Sequence, residues 1–153
     1  MTCDVQPVFL VCEDGDEYTD RFKRFLGREF RFVRVPNASI ADDASRAGAV
    51  SGLLLDLDFR RSDPCDLVGE LGLVTGSPSA EERSRWSAVQ GILILQYLRS
   101  RAVTLPALLF ADLDDPAQVA YLERSLAPLS IVSSREGLAQ IAARLRLIAG
   151  SNR

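Results

Sequence analysis

The residues best placed to do chemistry in this sequence are carboxylates. The run Ser51–Asp58 reads Ser-Gly-Leu-Leu-Leu-Asp-Leu-Asp, an apolar strand that carries Asp56 and Asp58 to its C-terminal end. In open α/β sheets, ligands bind outside the carboxyl ends of the strands. A second acidic pair, Glu13-Asp14, follows the apolar run Val8–Cys12. If the two strands lie side by side, three or four carboxylates share one small volume. Carboxylates so crowded repel, and need a cation or a proton to coexist. The expected partner is either a bound metal ion or an arginine such as Arg60 or Arg61.

Other chemistries are excluded or have little to work with. The chain has no histidine, which removes imidazole bases, imidazole metal ligands and a histidine pH switch. Lys23 is the only lysine among 18 basic residues, so any mechanism that needs a lysine has one candidate. The Asp56-Leu-Asp58 spacing is shared with haloacid-dehalogenase-like phosphatases, but those need a later lysine that this chain lacks. Gly69, Gly72 and Gly76 do not form a phosphate-binding GxxxxGK[ST] loop. Cys3, Cys12 and Cys65 form no CxxC pair and are odd in number, so neither a zinc site nor a disulfide framework is expected.

At 153 residues with a net charge of −3, the chain is expected to be one domain, 1–153, in the cytoplasm. No apolar run is long enough to span a membrane, and no signal pattern opens the chain. Arginines alternate with acids, which argues against a nucleic-acid partner.

The elements that must position the acids alternate between strand-like runs and helical periods, the pattern of a doubly wound parallel sheet. Strands are predicted at Pro7–Cys12, Phe30–Val35, Gly52–Leu57, Leu105–Ala111 and Leu129–Ser133. Helices are predicted at Asp16–Leu26, Ser39–Ala47, from Ser79 to about Ser100, at Asp115–Leu126 and at Glu136–Ile148. The third of these opens with a capping box, Ser79-Ala-Glu-Glu82. Residues 59–78, rich in Gly, Ser, Asp and Pro, are expected to be irregular.

With these residues in place, the chain resembles the receiver domain of response regulators over nearly its whole length. VFLVCED (Val8–Asp14) is similar to that family's first strand and acidic pair, and LLLDLD (Leu53–Asp58) to its third strand. GILILQYLRS (Gly91–Ser100) is similar to its third helix, and LPALLFADLDDP (Leu105–Pro116) to its fourth strand and following loop. The resemblance implies a CheY-like (βα)5 fold with strand order 2-1-3-4-5. It also implies Asp56 as phosphoacceptor, Mg²⁺ held by Glu13, Asp14 and Asp56, and a histidine kinase or downstream regulator as partner. A homodimer is a further expectation.

Three positions depart from the family pattern. The Ser or Thr expected after the fourth strand falls on Ala111, which has no hydroxyl. The lysine expected after the fifth strand falls on Ser133, or on Ser134 if the register shifts by one. The aromatic switch falls on Ser130, and no aromatic residue follows Tyr121. A lost charge-assisted contact to a phosphoryl group is worth roughly 1.5–3 kcal/mol, and a lost hydroxyl roughly 0.5–1.5 kcal/mol. Ser133 and Ser134 are expected to cap a helix instead.

Gly91 stands 35 positions after Asp56, far more than such domains carry. An insertion of that length is usually functional or disordered. It leaves the ligand end of the sheet, as a lid over the acids or as a partner-binding arm, and its Leu67, Val68, Leu71, Leu73 and Val74 argue that part of it docks. The expected function is a non-enzymatic, receiver-like interaction module without a phosphorylation switch. The alternatives are a phosphorylatable single-domain regulator acting through Asp56, and a small-ligand site at the same end of the sheet.

Overall fold

The computed structural model describes residues 4–70, 72–74 and 76–151. Cys3 and Leu71 lie outside the described residues. Five parallel strands form one sheet: β1 (Val8–Cys12), β2 (Arg31–Val35), β3 (Gly52–Asp56), β6 (Ala107–Phe110) and β7 (Leu129–Val132). Their spatial order, β2-β1-β3-β6-β7, is the predicted 2-1-3-4-5 once the short insertion strands are set aside.

Side chains alternate across the sheet and build two cores. Phe9, Val11, Leu54, Leu108 and Phe110 face α1 (Glu17–Leu26) and α6 (Leu138–Ser151), meeting Phe22, Ile141 and Leu145. Leu10, Cys12, Leu53, Leu55 and Leu109 face the other way. They pack with α2 (Ala38–Ala47), α4 (Gln90–Ser100) and α5 (Pro116–Ser125) through Ala41, Ile94, Leu95, Leu98 and Leu122. β3 is buried on both faces, as its unbroken apolar run requires.

Two expectations change. The helix predicted from Ser79 to Ser100 is two helices, α3 (Ala80–Ala88) and α4, broken at Val89 (φ −126°). The Ser79–Glu82 capping box opens α3 as predicted. Nothing in the local sequence announces the break, because tertiary contact imposes it. α4 must start against the end of β3, where Gly91 N–H donates to Leu57 O at 3.0 Å. A Cβ on Gly91 would lie 2.0 Å from the Asp56 carbonyl oxygen, so only glycine allows that approach. No residue of α3 is fully buried; its Trp86 packs against the α2/α4/α5 core and against Gly69 of the insertion.

The second change concerns residues 59–78, which are not wholly irregular. They contain a 3₁₀ turn (Pro64–Asp66) and a small antiparallel hairpin, β4 (Val68–Gly69) with β5 (Gly72–Leu73). Phe59, Leu67 and Val68 are buried. The Gln90 side chain clasps the Val68 backbone from both sides, accepting from its N–H at 2.7 Å and donating to its carbonyl at 3.0 Å. Asn37 Nδ2 reaches Asp66 at 3.3 Å. Phe59 and residues 67–69 therefore dock the insertion beside α2 and α4. No helix among the described residues is long and apolar enough to cross a membrane.

Candidate functional site at the carboxyl end of the sheet

Parallel pairing places Cys12 opposite Leu55, and Glu13 and Asp56 are the next residues of their strands. Asp56 itself pairs with Phe110, the residue before Ala111. The sequence-predicted residues therefore reach one end of the sheet, as alternation and strand length dictated. Their carboxyl groups, however, have separate partners.

Asp56 is half-buried, and its Oδ1 accepts the Leu57 backbone N–H at 2.9 Å. Burial pushes its carboxyl up to about 6, partly offset by the Leu57 N–H and reinforced by the charges of Asp14, Glu13 and Asp58. Glu13 is 1 % exposed and turns into the first turn of α1. Its Oε1 accepts from Tyr18 N at 3.1 Å, and its Oε2 accepts from Thr19 N at 2.7 Å and Thr19 Oγ1 at 2.6 Å. These satisfy donors that the helix leaves orphaned at its N-terminus, where a negative charge is also favoured. Asp16, the residue at the helix boundary, supplies no side-chain cap.

Asp14 is bound by Arg61, from the start of the insertion. Arg61 backbone N donates to Oδ2 at 2.8 Å, and Arg61 Nη2 reaches Oδ1 at 3.1 Å. The same guanidinium holds Glu17 at 2.6 and 2.9 Å. These hydrogen bonds draw the Glu17 carboxyl down to about 2 and raise the Arg61 guanidinium. Arg34 fixes the loop from below, donating to Asp14 O at 3.0 Å and to Gly15 O. Asp58 pairs with its neighbour Arg60 at 2.8 Å, apart from the others.

A further carboxylate, Asp112, stands just beyond β6. Ser133 Oγ donates to its Oδ1 at 2.9 Å, Ser134 N to the same oxygen at 3.2 Å, and Ser134 Oγ to Oδ2. Hydrogen bonds from the two serines hold its carboxyl below the usual range. Ser133 and Ser134 thus bind Asp112 across the loop ends of β6 and β7, rather than capping α6, which opens at Leu138. The Tyr18 phenol is pushed up to about 12 by burial, then by the charges of Asp56, Asp112 and Glu13. Its ring stacks on Phe110 with centroids 5.1 Å apart.

No protein-family model matches the sequence, and no curated protein does. Solved structures do match. The receiver domain of Francisella response regulator 1452 is 13% identical at a TM-score of 0.67, covering 97% of this chain and 100% of that one. A two-component response regulator from Clostridium difficile is 12% identical at 0.64, covering 94% and 96%. The BeF3-activated N-terminal receiver domain of Klebsiella pneumoniae RstA is 18% identical at 0.60, covering 92% and 96%. This chain has the receiver-domain fold.

On a receiver fold the three expected Mg²⁺ ligands can be tested directly. Mg²⁺ demands near-octahedral oxygen coordination and sheds its water reluctantly. Both Glu13 oxygens are engaged by α1, and both Asp14 oxygens by Arg61. Among the described residues no group of three ligating side chains converges on a point. With Arg61 docked on Asp14 and Glu13 turned into α1, the arrangement does not fit the ion: the expected Glu13–Asp14–Asp56 set does not come together among the described residues.

At the remaining receiver-fold positions, Ala111 is buried and ties β6 to β7, its N–H donating to Val132 O at 2.9 Å. Ser130 lies within β7, half-buried, opposite Leu108. Sequence reasoning anticipated Arg61 as a neutralising group but missed Arg34, Tyr18, Gln90 and Asp112. The signal for Asp112 was present: an acid one step past Ala111, facing a serine pair one strand away.

Proposed function

We propose that this chain is a non-enzymatic receiver-fold module of a two-component or related regulatory pathway, working in the cytoplasm by binding a protein partner rather than by phosphorylation. That partner is a histidine kinase or a downstream regulator. The observation that carries this reading is the Asp112–Ser133–Ser134 network. Phosphoryl transfer spreads negative charge over three oxygens, and catalysis there is positioning plus positive charge. At the carboxyl ends of β6 and β7, where the resemblance leads one to expect a lysine, the protein instead holds a carboxylate, Asp112, bound by two serines. Lys23, the only lysine, lies on α1, away from this strand end. Ala111 adds no hydroxyl.

A titration with Mg²⁺ and beryllofluoride, followed by Trp86 fluorescence, tests the proposal. The expected result is no saturable change. Saturable binding that disappears in Asp56→Asn would establish a working phosphoacceptor and overturn it.

A further inference from the structure

We propose that Arg61 is the resident counter-ion of the acidic site, a tethered guanidinium that excludes a divalent cation for as long as the start of the insertion stays docked. The inference deepens the reading above and relies on it for the location of the site. Arg61 contacts Asp14 with its backbone N–H (2.8 Å), with Nε (3.4 Å) and with Nη2 (3.1 Å). The Asp14 side chain is only 4% exposed, although the Arg61 side chain is 58% exposed. The guanidinium therefore closes Asp14 off from solvent while keeping its own outer face wet.

Three features place Arg61 there. Phe59, two residues earlier, is buried in the α2/α4/α5 core, and its N–H donates to Ser87 O at 2.8 Å, which fixes where the chain leaves the sheet. Gly15 leaves room: a Cβ there would lie 2.4 Å from Arg61 Nη2. Glu17 takes the two terminal nitrogens at 2.6 and 2.9 Å, so the cation is held between two acids. Arg60, its sequence neighbour, points elsewhere and pairs with Asp58.

A planar guanidinium offers directed donors to carboxylates, whereas a metal ion needs their lone pairs free. With the Asp14 side chain only 4% exposed behind a guanidinium whose positive charge repels a second cation, the two compete for it. Metal binding then requires a state in which Arg61 is released, and its apparent affinity falls by the fraction of molecules in that state. The insertion and the acidic site are coupled through this single side chain.

The test is a calorimetric titration with Mn²⁺ on the whole chain, comparing wild type with Arg61→Ala, Glu17→Gln and Arg60→Ala. Arg61→Ala is expected to bind Mn²⁺ about tenfold or more tightly than wild type. Glu17→Gln, which loosens the guanidinium without touching Asp14, should give a smaller gain. Arg60→Ala should match wild type. Equal affinity in wild type and Arg61→Ala, measurable or absent, would overturn the inference, and so would an equal gain from Arg60→Ala. Such a failure leaves intact the reading of a module not switched by phosphorylation, since that reading falls on beryllofluoride or a phosphoryl group bound through Asp56 and not on Mn²⁺.

Discussion

Asp56 sits half-buried among carboxylates, with no cation paired to it among the described residues. Its folded carboxyl titrates near 6, against about 3.9 for an unfolded aspartate. Below about pH 4 both states are protonated, and the raised value contributes its full stabilisation. As pH climbs through 6 the folded carboxyl must ionise against its surroundings, and that contribution is lost. The full difference corresponds to about 3 kcal/mol. Solvent screening of a group this exposed reduces it to about 1–2 kcal/mol. Asp56→Asn keeps an acceptor for Leu57 N–H but does not titrate. It should therefore raise the melting temperature by about 3–6 °C at pH 7–8, with the gain shrinking as pH falls from 6 to 4. A gain that does not change with pH would place the cause elsewhere. Glu13 is a structural carboxylate, bonded to the first turn of α1. Glu13→Ala strands the Tyr18 and Thr19 N–H groups and should cost about 2 kcal/mol by urea denaturation. Glu13→Gln, which keeps an acceptor, should cost less.

Among the elements, the junction of β3, the insertion and α4 organises the site. Gly91 lets α4 begin against the Asp56 carbonyl, and Gln90 beside it holds the hairpin. Gly91→Ala forces a Cβ into backbone and should destabilise the protein by about 2 kcal/mol or more, read from its unfolding midpoint. Gln90→Ala should leave the sheet intact but release β4 and β5, seen as new proteolytic cleavage within residues 67–76 and a shifted Trp86 emission. Trp86 packs on Gly69, where a Cβ would sit 3.2 Å from its ring, so it reports on this docking directly. An unchanged cleavage pattern would show that Gln90 is not the clasp.

Over the whole molecule, the five strands of the main sheet were legible because each run is short, rich in apolar residues and bounded by turn residues, whereas β4 and β5 were not. β1 and β3 fall within one residue of their predicted ends. The break at Val89 was not legible, since residues 79–100 carry an unbroken helical pattern and only contact with Asp56 divides it. In the site, chain order brought Glu13, Asp14 and Asp56 to one sheet end, and that much the strands could foretell. Which hydrogen bonds would claim each carboxylate depended on side chains distant in sequence: Arg61 is 47 positions from Asp14, and Ser134 is 22 from Asp112. Those pairings turn an acidic cluster suited to a cation into separately satisfied acids.

Whether Asp56 takes a phosphoryl group is read by incubating the protein with Mg²⁺ and acetyl phosphate and recording its intact mass. An unmodified chain is expected, the same for wild type and Asp56→Asn. A wild-type chain heavier by one phosphoryl group, with Asp56→Asn unmodified, would contradict it.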